Sequence, residues 1–192
     1  QHHFPTVQID QGRDADAEPM FKRAIAILEK TIGMDSPEIA AALNNLAALC
    51  QRQERYAEAE PLFRRALAIR ERSLGAGHPD LGQSLNNLAT YYEKLGRHGD
   101  SEPLFRRALA IYEKAAGPEH PAVATLLNNL GQVTKVQGRY GEAEPLIKRS
   151  LAIREKILGR EHPDVARPLN NLADLHERQN RTTAALPLYR RA

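Results

Sequence analysis

The sequence predicts an all-α solenoid of tandem helical hairpins. Three observations carry that expectation: a motif that returns every 42 residues, apolar residues at helical spacing inside each unit, and glycine and proline breakers at matching places. Leu43-Asn44-Asn45-Leu46-Ala47 recurs as Leu85-Asn86-Asn87-Leu88-Ala89, Leu127-Asn128-Asn129-Leu130-Gly131 and Leu169-Asn170-Asn171-Leu172-Ala173, with no insertion between copies. A Glu-Pro pair keeps the same period at Glu18-Pro19, Glu60-Pro61, Glu102-Pro103 and Glu144-Pro145, with Leu186-Pro187 as its variant.

Within one unit, Leu81, Leu85, Leu88, Ala89, Tyr92 and Leu95 share a face, which predicts a first helix over residues 79–96. Leu104, Phe105, Ala108, Leu109 and Tyr112 predict a second over residues 99–116. Gly96 and Gly117 are expected to end these helices in left-handed backbone. Units are separated by Ser36-Pro37, His78-Pro79, His120-Pro121 and His162-Pro163, each three residues after Gly33, Gly75, Gly117 or Gly159. Proline there occupies a first helical turn, where no amide hydrogen bond is needed. Pro103 is expected near the end of such a turn, where its missing N–H costs little.

A two-helix hairpin cannot bury its own apolar stripe, and stacking the next unit on it does. Small residues recur where helices must approach closely, at Ala47, Ala89, Gly131 and Ala173 and at Ala59, Ser101, Ala143 and Ala185. Large ones recur between them at Phe21, Phe63, Phe105, Ile147 and Tyr189. The expected organisation is an irregular, non-repeat segment over residues 1–11, where Pro5 interrupts a helix, followed by a repeat domain over 12–192. That domain divides into a half unit 12–35, full units 36–77, 78–119 and 120–161, and a truncated unit 162–192. The stop at Ala192, inside a helix that runs on in earlier units, leads us to expect an excised segment.

The spacing Leu85-x2-Leu88-Ala89-x2-Tyr92, with Ala59-x3-Phe63, resembles the tetratricopeptide repeat, with leucine where that signature has tryptophan. Gly-x2-His-Pro-Asp, Leu-Asn-Asn-Leu-Ala and Ala-Glu-Pro-Leu-Phe-x-Arg-Ala-Leu resemble its kinesin light chain subclass, bacterial relatives included, over residues 13–192. The resemblance implies a right-handed superhelix whose first helices line a concave wall. It also implies a scaffold that binds a peptide or protein segment there.

Stepping about 100° per residue from a core-facing Leu85 puts Asn86, Asn87, Thr90, Gln83 and Lys94 on the face away from the core. The period adds Ala41, Asn44, Asn45, Ala48 and Arg52, then Thr125, Asn128, Asn129, Gln132 and Val136, then Arg167, Asn170, Asn171, Asp174 and Arg178. The candidate peptide-binding set is Asn44, Asn45, Asn86, Asn87, Thr90, Lys94, Asn128, Asn129, Gln132, Lys135, Asn170 and Asn171. Asparagine offers both a donor and an acceptor, as an extended backbone requires. Two readings stay open: the columns grip a backbone, or one asparagine of each pair is bonded within the array. Charge on the wall is mixed, with Arg52, Lys94, Lys135, Arg167 and Arg178 against Glu93, Asp174 and Glu177.

The other function classes find little here. Lys and Arg total 27 against 24 for Asp and Glu, with the signs interleaved, so no nucleic-acid track is expected. No apolar run approaches the roughly 20 residues that span a bilayer, and no secretory signal is visible. The single Cys50 excludes an internal disulfide framework, and a cytoplasmic protein is expected. His78, His120 and His162 recur a helix-packing distance of about 8–10 Å apart, too far to share an ion, so they are expected to start helices and not to hold metal. His176 and Cys50 stand where Tyr92 and Thr134 stand and are expected to pack. No catalytic motif, cofactor or metal set is expected. Alternatives are a regulatory or sensor segment of a larger multidomain enzyme or signalling protein, and self-association through the helix after Thr182.

Overall fold

The computed structural model describes residues 14–192, with side chains from Ala17 onward. The expectation for residues 1–11 therefore lies outside the described residues. The chain forms two compact units, one ending at Leu74 and the other spanning Gly75–Ala192. In the first, α1 (Asp14–Ile32), α2 (Pro37–Arg52) and α3 (Tyr56–Ser73) pack in sequence. In the second, α4 (Pro79–Lys94), α5 (His98–Ala116), α6 (Pro121–Val136), α7 (Tyr140–Leu158), α8 (Pro163–Arg178) and α9 (Thr182–Arg191) do the same. α6 also touches α4 and α8, so alternate helices of the second unit share one wall. Every regular element among the described residues is helical.

Each first helix begins in the same way. Ser36, His78, His120 and His162 hold extended backbone at the N-cap and accept a hydrogen bond from the amide two residues on, with proline between. For the histidines the acceptor is Nδ1, 3.2 Å from Asp80 N, 3.2 Å from Ala122 N and 3.1 Å from Asp164 N. An imidazole can do this only when neutral, with its proton on Nε2. The recurring histidine is thus a helix start, satisfying one of the amides that a first turn leaves orphaned.

The turn inside each hairpin needs a positive φ at residue 54, 96, 138 or 180. Gly96 and Gly138 supply it at 71° and 79°, whereas Glu54 and Asn180 adopt 60° and 58° with side chains in place. Arg97 N bonds Tyr92 O and Gly96 N bonds Glu93 O, both at 2.9 Å, closing the Schellman pattern. Gly117 and Gly159 end the second helices with φ 90° and 88° and ψ 160° and 158°. That is not the left-handed helical backbone expected, but an extended conformation open essentially to glycine alone. Gly75 differs again. Its φ is not positive, and α3 stops at an extended Leu74.

The Glu-Pro prolines lie inside the second helices, and Pro103, the sixth residue of α5, falls past the first turn expected for it. The bond Pro103 cannot make belongs to the carbonyl of Gly99, an exposed residue whose carbonyl water can serve. Core packing follows the period. Ala59, Ala143 and Ser101 are fully buried, as are Phe63, Phe105 and Ile147 to within 1%. Gly131 breaks the run of alanines for a steric reason: a Cβ there would lie 2.5 Å from Ile147 Cγ1. Cys50 is buried, and burial raises its thiol pKa, so it behaves as a packing residue.

Candidate functional site

The wall shared by α4, α6 and α8 carries most of the candidate residues. Helical spacing brings Asn86, Asn87 and Thr90 to it from α4, and all three are half-buried, while Lys94 is exposed. From α6 come Asn128, fully buried, Asn129 at 4% exposure and the half-buried Gln132. From α8 come an exposed Asn170 and a half-buried Asn171. In the first unit, α2 buries Asn44 and exposes Asn45.

Stacking joins several of these side chains directly. Asn171 Nδ2 donates to Asn128 Oδ1 at 2.9 Å, and Arg167 Nη2 donates to Asn129 Oδ1 at 3.1 Å. Lys135 is only 2% exposed. Its ammonium lies 2.6 Å from Asp174 Oδ2 and 3.5 Å from Asn171 Oδ1, and Arg178 Nε bonds the other Asp174 oxygen at 3.0 Å. Burial opposes ionisation of Asp174, but bonds from Lys135 and Arg178 prevail and hold its carboxyl below the usual range. Between α6 and α8 the asparagines are therefore cross-linked, the second of one unit to the first of the unit before, and Lys135 is committed to an ion pair.

The α4 side is less complete. Asn86 Oδ1, Gln132 Oε1 and Asn128 Nδ2 are screened from solvent and have no hydrogen-bond partner among the described residues. A screened polar atom left so costs about 1–3 kcal/mol. Glu93, at the place Lys135 takes one unit later, forms no ion pair among the described residues. Burial raises its pKa, partly countered by Arg167 and His98. Asp174, Arg167 and Arg178 fall on the wall by the period alone, but their bonds depend on side-chain reach that periodicity does not encode.

A second set of charges sits on the second helices. Arg55 reaches Glu18 at 2.6 Å, Arg139 reaches Glu102 at 2.5 Å and Arg181 reaches Glu144 at 3.3 Å. The Arg55 guanidinium holds Glu18 at about 2, with Lys22 adding to the effect. These repeated glutamates clasp one hairpin to the next. No group of histidine, cysteine and carboxylate residues able to hold a metal occurs among the described residues, and none of their helices is long and apolar enough to cross a membrane.

Stacked hairpins, with polar side chains shared between first helices and charge clasps between second helices, define a helical-repeat protein. The tetratricopeptide repeat family model matches residues 6–72, 38–114, 84–135 and 122–192, and the chain belongs to that family. Among solved structures it is similar to a kinesin light chain protein with nearly identical TPR-like repeats from Podosopora anserina, at 26% identity over 94% of this chain and 86% of that one, TM-score 0.79. It is also similar to BtubC (BKLC) from P. vanneervenii, at 25% identity over 94% and 71%, TM-score 0.77. Aspartyl phosphate phosphatase F from Bacillus subtilis shares the fold alone, at 19% identity over 93% and 46%, TM-score 0.74. No curated protein sequence matches the chain. The kinesin light chain-like resemblance read from the motifs is thus matched by the structural neighbours.

Proposed function

We propose that the chain is a non-catalytic scaffold that captures a peptide or protein segment on the wall formed by its first helices. The observation that carries this reading is the pair of unpartnered amide oxygens at the half-buried Asn86 and Gln132, which the N–H groups of an extended backbone would satisfy. The candidate set read from the sequence contributes unequally to it. Asn86, Asn87 and Thr90 are the contact residues we favour. Asn128, Asn129, Asn171 and Lys135 hold the wall in register behind them. Lys94 and Asn170 are exposed and stand as outer contacts, and Asn45 is exposed within the first unit.

A pull-down with the intact chain identifies a partner. Asn86→Ala with Asn87→Ala should then weaken its capture about tenfold while helicity is retained. Unchanged affinity sinks the assignment. A second reading has its own observation: α9 exposes Leu186 at 51% and Tyr189 at 39%, an apolar face suited to self-association. Sedimentation that shows a monomer at every concentration removes it.

A further inference from the structure

The second-helix position occupied by Tyr112 is arginine in the hairpins before and after it, Arg70 and Arg154, and beside Arg154 a cavity opens. Tyr112 packs against Gly82, where an added Cβ would lie 2.9 Å from the ring, and it stacks on His120 with centroids 6.0 Å apart and planes at 13°. One unit later Ala124 takes the place of Gly82 and no ring fills the space. A cavity of about 170 Å³ lies there between α6, α7 and α8. Pro121, Ala124, Ile153, Ile157 and Leu158 give it apolar lining, and Arg154 gives it a cation, with Thr125 and Asp164 completing the wall. Ile157 and Leu158 are 45% and 40% exposed, high for large aliphatic side chains.

Arg154 is half-buried and bonded only to neutral oxygens. Nη2 donates to Thr125 Oγ1 at 3.1 Å, Nη1 donates to the Asp164 carbonyl at 3.4 Å, and Nε is buried without a partner. The Asp164 carboxylate makes no ion pair with it. Burial lowers the guanidinium pKa, a cost that the field of Asp164 only partly offsets. A guanidinium in such a place is matched best by a carboxylate, which can accept two of its N–H groups at once.

We propose that this cavity is the subsite for the C-terminal residue of a peptide ending in an aliphatic side chain. The terminal carboxylate pairs with Arg154, and the side chain lies among Ile153, Ile157 and Leu158. Size supports a single residue, since pockets for larger ligands begin near 300 Å³. Chemistry supports a chain end, since an internal aspartate or glutamate brings the carboxylate without a branched apolar group beside it. The proposal rests on the peptide-capture reading and adds to it the kind of terminus captured.

The test titrates the intact chain with N-acetyl-L-leucine and N-acetyl-L-leucinamide while following the Arg154 Nε–Hε NMR signal. The acid should shift that signal saturably, and the amide should bind about tenfold more weakly or worse. Arg154→Tyr restores the filling of the preceding hairpin, so it should fold and lose the acid's binding. Asp164→Asn removes the nearby negative charge and should tighten it. Equal response to acid and amide, or binding retained in Arg154→Tyr, overturns the subsite. The Asn86 and Asn87 measurement is unaffected by that outcome, so failure here leaves capture on the wall standing or falling by its own test.

Discussion

α4 and α6 carry the same Leu-Asn-Asn-Leu motif and put it to different uses. In α6, Asn128 and Asn129 are buried and accept hydrogen bonds from Asn171 and Arg167 on α8. In α4, Asn86 and Asn87 are half-buried and Asn86 Oδ1 has no partner. The residue at position 93 or 135 accounts for much of the contrast. Lys135 is a donor that meets Asn171 and Asp174, respectively 36 and 39 residues on. Glu93, the same distances from Asn129 and Gln132, offers only acceptors, and Gln132 Oε1 stays unmet. Period and motif build the wall, while one variable neighbour decides whether its amides are consumed inside the array or left for a ligand.

The largest expected effect comes from breaking the closed side. Lys135→Ala leaves Asn171 and Asp174 without their buried donor. Asp174 is 36% exposed and keeps Arg178, which moderates the loss to about 2–3 kcal/mol in urea unfolding. Gly131→Ala tests the same helix through packing. Its Cβ meets Ile147 Cγ1, so a loss of about 1–3 kcal/mol is expected in urea unfolding.

Converting the open side into the closed one is a sharper test. Glu93→Lys with Gln132→Asp copies the Lys135–Asp174 pair one unit earlier. It should add about 1 kcal/mol of stability and weaken peptide capture. Lower stability with unchanged capture would break the comparison.

The smallest effect is a pH dependence confined to the last hairpin. His176 stands at Tyr92's position, and burial depresses its pKa below 6.5, with Arg181 adding to the effect and Glu144 opposing it. The unfolded chain therefore binds the proton more readily. His176's contribution is full above about pH 6.5 and is lost as pH falls below it. His176→Tyr should flatten thermal stability between pH 7 and pH 5.5 relative to the parent.

The fold was legible because repetition states it several times. Helix starts at Pro79 and Pro121 and the turn at Gly96 are local chemistry, written in adjacent residues. The Gly117 conformation is not legible in the sequence, because glycine marks a positive φ without stating ψ. The site was legible only as a face. Helical angle put Asn128 and Lys135 on or beside the polar wall, but burial there depends on the neighbouring helix, and α8 covers them with Asn171, Arg167 and Asp174. The cavity at Arg154 leaves a trace in the sequence because the ring of Tyr112 is absent at that position in the next unit, a signal that comes from comparing units and not from composition.

The same asparagine pair is coupled between α6 and α8 and uncoupled between α4 and α6. Double-mutant cycles in urea unfolding measure it directly, with alanine at Asn128 and Asn171 in one cycle and at Asn86 and Asn129 in the other. The prediction is a coupling of about 1 kcal/mol in the first and within about 0.3 kcal/mol of zero in the second. Equal coupling in both cycles would contradict it.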